Sequence, residues 1–569
     1  MQPMFEPASL PEVSVGPAGG AAERAGAPDQ HALRCVLVSE AQLAAGDHVG
    51  ALDTPGQQRA LLDAAVAMHR FKAAQGEALP PVLLPDPSDG DAPPRGLMLL
   101  GLGKAPSSPA AWGQSAFHVR CPRRAPRGQR AARAPRSRAA PASRAGEPRP
   151  SAPQAAGAAL AGAAKAFGPA RVEVTWLDAR AASGAAVTSF VASALAGLYE
   201  GDVRFRSKPQ PKIKLEAIRL AVAAEGDAEA SHGELLAAAR RGAALARGAL
   251  VTRLLAEAPA NVCTPRYLAA AAAHIAALDP ARFRIKVLEE PAVRALGMGL
   301  FLGVAAGSDE PPRLIHLTYL GQAAAAPHRV ALVGKSVCFD SGGYNLKTAG
   351  GIETMKVDMA GGAAVLGAAR ALAELRPAGV EVHFILAACE NLVSGRATRP
   401  SDIHVSAAGK TVEVFDTDAE GRLTLADALW YAQSEAGATT VVDIATLTGA
   451  AGVALGQSTG ALFAADDGLA AHVDAASRRA GEKLWRLPLD EGLRKKIESP
   501  IADLKNYAGR WGGAITAALF LQEFITEGTA WAHLDVAGPA WDDAACLPTG
   551  FGAATLTELV MGLAEGQSS

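Results

Sequence analysis

Short apolar runs alternate with helix-period stretches along most of the chain. Near the start, Cys35-Val-Leu-Val reads as a strand, Gln57 to Gly76 as a helix, and Gly96 to Gly103 as a buried strand ending in a glycine turn. Ala155 to Phe167 and Ala186 to Glu200 predict helices on either side of a strand at Arg171 to Leu177. This alternation predicts a three-layer α/β domain. Further on, helix patterns cover Leu235 to Glu257, Pro265 to Leu278, Gly361 to Leu375 and Leu425 to Ser434. Among them lie β-rich runs at Arg313 to Tyr319, Arg329 to Val333, Val380 to Ala387, Thr439 to Ile444 and Trp531 to Val536. That pattern predicts a second α/β domain, a mostly parallel sheet flanked by helices on both faces. In such sheets the chemistry sits at the carboxyl ends of the strands.

Composition divides the chain further. Residues 1–33 are rich in Pro, Gly and Ala and read as a disordered tail. Residues 34–207 form the amino-terminal α/β domain, interrupted at about 116–153 by an Arg/Pro/Ala-rich insertion. There, arginines recur from Arg120 to Arg149 with Glu147 the only acid between them, a composition that buries no core. Such a run can hold phosphate backbones, but a solvated insertion is the preferred reading, and nucleic acid is not expected as a partner. A linker at 208–214 leads into the second domain, 215–569. The formal net charge of −2 favours neither nucleic acid nor membrane, and no apolar run reaches the roughly 18–20 residues that span a bilayer. The six cysteines are scattered with no C-x-x-C pair, which suits a reducing compartment. The tail has no apolar signal core and is not acid-poor, so the cytoplasm is expected, with organellar import as the alternative.

Two segments concentrate charge among glycines. One is Val333-Gly-Lys-Ser-Val-Cys-Phe-Asp-Ser-Gly-Gly-Tyr-Asn-Leu-Lys347, continued by Met355-Lys-Val-Asp-Met-Ala-Gly-Gly362; the other is Asp416-Thr-Asp-Ala-Glu-Gly-Arg-Leu423. Glycines allow tight turns and close approach to a ligand. Charges packed among them are costly unless they face one another or a metal. If Asp340, Asp358, Asp418 and Glu420 converge at strand ends, two divalent ions would cancel four negative charges, and hard oxygen ligands suit Mn, Mg or Zn. Lys347 and Arg422 would then remain to stabilise an oxyanion. On spacing alone, scattered surface charges in ordinary turns remain an open alternative. Other chemistries find less support: there is no H-E-x-x-H and no phosphate loop. His316, His383 and His533 sit in β-rich runs and read as satisfied sheet residues. Cys338 and Cys389 read as small core residues.

These segments closely resemble the leucine aminopeptidase family, the cytosol aminopeptidases. Asp416 to Arg422 matches the family signature Asn-Thr-Asp-Ala-Glu-Gly-Arg at all but the first position. Glu390-Asn391, Arg399-Pro400, Gly409 to Val414, Ala445 to Gly449 and Trp531 to Gly538 extend the likeness, which is strong from about Ala258 to Leu556. The resemblance implies two divalent metal ions, Mn or Zn. Lys335, Asp340, Asp358 and Glu420 would hold the tighter one, and Asp340, Asp418 and Glu420 the more exchangeable one. It makes Lys347 the residue that polarises the scissile carbonyl, and Arg422 the anchor of a bicarbonate acting as general base. Met355, Thr446, Leu447 and Gly449 become substrate contacts. It implies removal of amino-terminal residues from peptides, medium apolar ones such as Leu preferred, by a homo-hexamer. A narrow dipeptidase and an inactive binding module are the competing functions. Two positions depart from the family pattern: Asp416 in place of Asn, and Ala360 ahead of the Gly361-Gly362 pair.

Overall fold

The computed structural model of the 569-residue chain describes residues 12–17, 32–39, 82–84, 95–103, 152–167, 171–176, 183–201, 217–222, 232–321, 328–348 and 350–566, with Phe205 and Ser207. The expected helix at 57–76, the linker at 208–214 and all but the last two residues of the insertion at 116–153 lie outside the described residues. Two compact units emerge, Leu10–Leu198 with Pro211–Ala243, and Tyr199–Gln210 with Ala244–Ser569. The division falls inside the helix His232–Glu257, whereas composition places a linker at 208–214.

In the first unit six strands form one sheet, in the order Glu12–Pro17, Ala217–Val222, Arg171–Trp176, Ala32–Ser39, Arg95–Gly103 and Val82–Leu84. All neighbours are parallel except the last pair. The strand Glu12–Pro17 lies within the stretch that composition assigns to a tail. Its Val13 and Val15 alternate with polar residues, and it occupies a sheet edge, where a terminal Pro17 costs no ladder hydrogen bond. The helices Ala152–Phe167 and Gly184–Gly197 touch closely at Gly157, where a Cβ would lie 2.3 Å from the Phe190 carbonyl oxygen.

The second unit is built on an eight-stranded sheet. Its four central strands, Ala530–Asp535, Thr440–Ala445, His328–Asp340 and Val380–Asn391, run parallel to one another. Thr459–Ala464 and Arg313–Leu320 flank them antiparallel, with Lys483–Arg486 and Phe283–Glu289 at the edges. The central strands are buried on both faces and read as near-continuous apolar runs, as parallel strands must when helices cover both sides. Alternate residues sort to two cores. Val330, Leu332 and Cys338 pack with the helices Pro265–Leu278, Ala360–Leu375, Asp467–Ala480 and Ala553–Glu565. Ala331, Val333 and Val337 pack with Gly299–Ala305, Gly421–Ser434 and Gly513–Gln522. This is the three-layer α/β arrangement expected from the pattern.

The helix termini follow local chemistry. The Thr264 hydroxyl accepts the Tyr267 amide N–H ahead of Pro265, and Asp466 accepts from Leu469. Sequence reasoning misses the edge strand Phe283–Glu289. Phe283, Ile285 and Val287 alternate with Arg284 and Lys286, the period of a strand, but of the seven residues Phe283 alone is buried, as suits a solvated sheet edge. Cys263, Cys338 and Cys389 are buried free thiols, and burial pushes the Cys263 thiol up to about 12. These are packing cysteines rather than nucleophiles.

Candidate metal centre

The acidic residues gather where the central parallel strands end. Lys335 lies inside the strand His328–Asp340, and Asp340 is its last residue. Asp358 closes the short 3-10 turn Met355–Val357, just before the helix Ala360–Leu375. Glu420 is the N-cap of the helix Gly421–Ser434, with Asp418 two residues earlier and Arg422 in its first turn. Thr446 and Leu447 follow the strand Thr440–Ala445. Carboxylates at a helix start also meet the positive end of the helix dipole.

Close packing here requires glycine. A Cβ on Gly421 would lie 2.4 Å from Lys335 Cε and 2.7 Å from Nζ. Gly421→Ala should therefore displace the Lys335 side chain and destabilise the protein by about 1–3 kcal/mol, the usual scale for overpacking. Thermal denaturation with metal titration checks this; unchanged stability and metal affinity would mean that the site has room to spare. Gly361 and Gly362 play a similar part. A Cβ on the first would meet the Ile444 carbonyl oxygen at 2.1 Å, and on the second the Ser336 hydroxyl at 2.1 Å. The helix begins at Ala360, ahead of this pair, so the additional alanine is accommodated as its first residue.

Asp340, Asp358 and Glu420 each offer a carboxylate oxygen within 4.8 Å of the others, and all three are buried. Lys335 Nζ lies 2.8 Å from Asp358 Oδ1 and 2.8 Å from Glu420 Oε1, and donates to the Thr446 carbonyl at 3.1 Å. Lys347 Nζ lies 2.8 Å from Asp340 Oδ2 and 2.6 Å from Asp418 Oδ1. The Thr446 hydroxyl donates to Asp358 Oδ1 at 2.9 Å. Asp358 Oδ2 is buried without a hydrogen-bond partner. Arg422 is buried too; its Nη1 donates to the Asn506 carbonyl at 2.6 Å, while its Nε has no partner.

The electrostatics match that crowding. Burial and the neighbouring Glu420 raise Asp340, although Lys335 and Lys347 pull it back. Burial raises Asp358 well above the ordinary carboxylate range. Burial likewise lifts Asp418 to about 6, against the pull of Lys347. Burial opposes charge on both lysines, yet the surrounding carboxylates outweigh it and raise both. Burial lowers Arg422 to about 10, which leaves it cationic at neutral pH. Fully ionised, the four carboxylates would exceed Lys335 and Lys347 by two negative charges, and burial resists that charge unless a cation offsets it. With Asp358 Oδ2 unpartnered and a donor set of hard oxygens, the residues fit divalent cations.

Asp416 has a clear local role. Its Oδ1 accepts the Asp418 amide N–H at 2.9 Å, an Asx turn that an Asn oxygen would make equally well. Met355, Thr446 and Leu447 are half-buried beside this cluster's segments, and Gly449 is exposed at the start of the helix Gly449–Leu455. The three singled-out histidines are held elsewhere. His316 contacts Tyr431 and His383 at 3.2 and 3.0 Å, and His533 Nδ1 contacts Asp443 at 2.5 Å. Sequence reasoning missed Asn506, whose side chain accepts from the Phe415 and Asp416 amides and donates to the Asp416 and Ala419 carbonyls. It also missed Asp535, which accepts from the Leu447 and Thr448 amides and the Thr448 hydroxyl. Asp535 was visible only as part of the Trp531 to Gly538 match, and Asn506 carried no motif.

A buried acidic cluster with paired lysines, at the strand ends of a three-layer α/β unit, is the kind of site that metal-dependent hydrolases use. The profile of the cytosol aminopeptidase family, catalytic domain, matches residues 250–557. Leucine aminopeptidase 1 of Arabidopsis thaliana is 47% identical over 378 residues, covering 66% of this chain and 71% of that protein. A probable cytosol aminopeptidase of Synechococcus sp. is 49% identical over 369 residues, covering 63% and 72%. A solved structure of a mutant tomato leucine aminopeptidase superposes with a TM-score of 0.79 at 34% identity, covering 98% of each chain. The chain belongs to the cytosol aminopeptidase family, and its activity is that of a metal-dependent aminopeptidase.

Proposed function

We propose that this site removes single residues, Leu and other medium apolar ones preferred, from the free amino end of peptides. The observation that carries the reading is the burial of Asp340, Asp358 and Glu420 with their oxygens within 4.8 Å of one another. Lys335, Asp340, Asp358 and Glu420 would hold one ion, and Asp340, Asp418 and Glu420 a second, more exchangeable one. When bound, two divalent cations, Mn or Zn, supply Lewis acidity for the scissile carbonyl and a hydroxide nucleophile near neutral pH. Lys335 serves as a ligand only when neutral, and neighbouring dications favour loss of its proton.

The chain's own groups do the remaining work. Lys347 reaches the acidic oxygens of both loops and is the cation available to an oxyanion on the substrate. Arg422, cationic and with its Nε unpartnered, suits a bound bicarbonate that takes up and returns the proton. Met355, Thr446, Leu447 and Gly449 would line the site for the first residue, and the flexible Met355 thioether fits varied apolar side chains. We assign hydrolysis to the carboxy-terminal unit and read the protein as a homo-hexamer. Its relatives include cytosol and chloroplastic enzymes, and we place it in the cytoplasm or an organelle. Among the described residues no helix is long and apolar enough to cross a membrane.

Leucyl-anilide and its N-acetylated form, beside a panel of dipeptides that includes Cys-Gly, test this reading. Hydrolysis should require the free amine and favour Leu and Met at the first position. Equal cleavage of the acetylated substrate would exclude an aminopeptidase, and activity confined to one dipeptide would favour the narrow dipeptidase.

A further inference from the structure

Asn391 is the last residue of the strand Val380–Asn391, and it pairs with Asp340 where the register shifts after Cys389. Its side chain is 6% exposed. Its Nδ2 carries two protons, and both are spent on the segments that bear the acidic cluster. One goes to Asp340 Oδ1 at 2.8 Å, the other to the Thr417 carbonyl at 3.0 Å. The Asn391 backbone carbonyl meanwhile accepts from the Ser341 amide at 3.0 Å and the Ser341 hydroxyl at 2.8 Å. One residue therefore ties the loop after Asp340 to the loop that carries Asp418 and Glu420.

The effect on Asp340 is specific. Its Oδ1 is held between the Asn391 amide and the Gly342 backbone N–H at 2.9 Å, while Oδ2 lies against Lys347. Two donors on one oxygen fix the rotation of the carboxylate. A second clamp beside it acts in the same direction: the Thr417 hydroxyl donates to the Gly342 carbonyl at 2.7 Å, and the Asn345 carboxamide oxygen accepts the Thr417 amide at 3.0 Å.

We infer that Asn391 is a positioning residue: by holding Asp340 and the Thr417 carbonyl on one amide group, it sets the separation of the two acidic loops and hence the affinity for divalent metal. The inference rests on the metal-site reading above. Asp and Ala replacements separate its two contributions. Asn391→Asp keeps the shape but removes both donors and sets a carboxylate against Asp340. Asn391→Ala removes the group and leaves Gly342 as the remaining donor to that oxygen. Outer partners of metal ligands typically contribute about 10–100-fold in affinity.

The experiment is titration of the purified, metal-stripped full chain and both variants with Mn and Zn, following bound metal directly by calorimetry and elemental analysis, with circular dichroism as a check on folding. Asn391→Ala should bind the weaker equivalent about 10–100-fold less tightly than the unmodified protein, and Asn391→Asp should lose less, because its added negative charge favours a dication although both donors are gone. Saturating metal should restore most of the turnover number. If Asn391→Ala fails to fold, Asn391→Ser carries the test; it keeps a single donor and should fall between Ala and the unmodified chain. An affinity within twofold of the unmodified protein in folded Asn391→Ala, or in Asn391→Ser where Ala does not fold, would overturn the inference. An unmodified chain that binds no metal would instead overturn the site reading itself.

Discussion

Exhaustive chelation should abolish peptidase activity, and Mn or Zn should restore it. Among the described residues of the cluster there is no histidine or cysteine nucleophile to take over: the acidic residues, two lysines and Arg422 are the ionisable groups gathered there. Asp340 and Asp358 have raised pKa values because burial opposes their charge, so the metal-free protein keeps part of that charge at a cost. A bound dication reverses the balance and favours the ionised form. Metal should therefore stabilise the fold as well as activate it, by about 2.7 kcal/mol at a hundredfold excess over the dissociation constant. Full activity after verified removal of metal would sink the metal-dependent mechanism at this site.

The pH dependence has a definite sign. In the metal-free protein Asp418 is lifted to about 6, above its unfolded value, so the folded state binds the extra proton. That contribution makes the metal-free fold less stable as pH rises from the ordinary Asp range toward 6. Metal binding must displace the same proton, so Asp418 adds a further weakening of affinity as pH falls below about 6, on top of the dependence set by the Lys335 proton, by up to tenfold per pH unit for each proton displaced. The gap in melting temperature between metal-loaded and stripped protein should therefore widen between pH 5 and pH 7. A gap whose pH slope is no steeper below pH 6 than above it would mean that Asp418 is not a ligand.

Much of this architecture can be read from residue order. Buried parallel strands are apolar on both faces, so His328–Asp340 and Val380–Asn391 stand out, although the pattern marks only their first parts, Arg329 to Val333 and Val380 to Ala387. The polar ends are where the chemistry lies, and there it is the charged motifs that reveal the site. What stays hidden is the tertiary bookkeeping. Asn506 lies 90 residues from Asp416, yet its side chain secures that turn, and nothing local marks it. Asp535 was legible as a motif member but not as the acceptor that shapes the loop at Leu447 and Thr448. The exposed edge strand Phe283–Glu289 was legible in its alternation of Phe283, Ile285 and Val287 with Arg284 and Lys286, but it is a single short run on a solvated edge and went unread.

Replacing Lys347 and Arg422 should separate two kinds of cation. Lys347 Nζ contacts Asp340 and Asp418, so a purely structural ion pair would account for its position. That alternative makes a different prediction. Removing Lys347 takes one positive charge out of an acidic cluster, so metal affinity should hold or rise. If Lys347 also meets charge developing on the carbonyl oxygen, its benefit is largest in the transition state. Lys347→Ala should then lower the turnover number by roughly 10²–10³-fold, the scale of one lost oxyanion donor, with metal content intact. Arg422 contacts the Asn506 carbonyl and retains an unpartnered Nε, so its charge is available to an anion. In degassed buffer, added bicarbonate should raise the activity of the unmodified enzyme, and Arg422→Ala should lower turnover and lose that response. A full bicarbonate response in Arg422→Ala would remove Arg422 as the anchor. A rise in KM alone for Lys347→Ala would make Lys347 a ground-state binding residue instead of an electrophile.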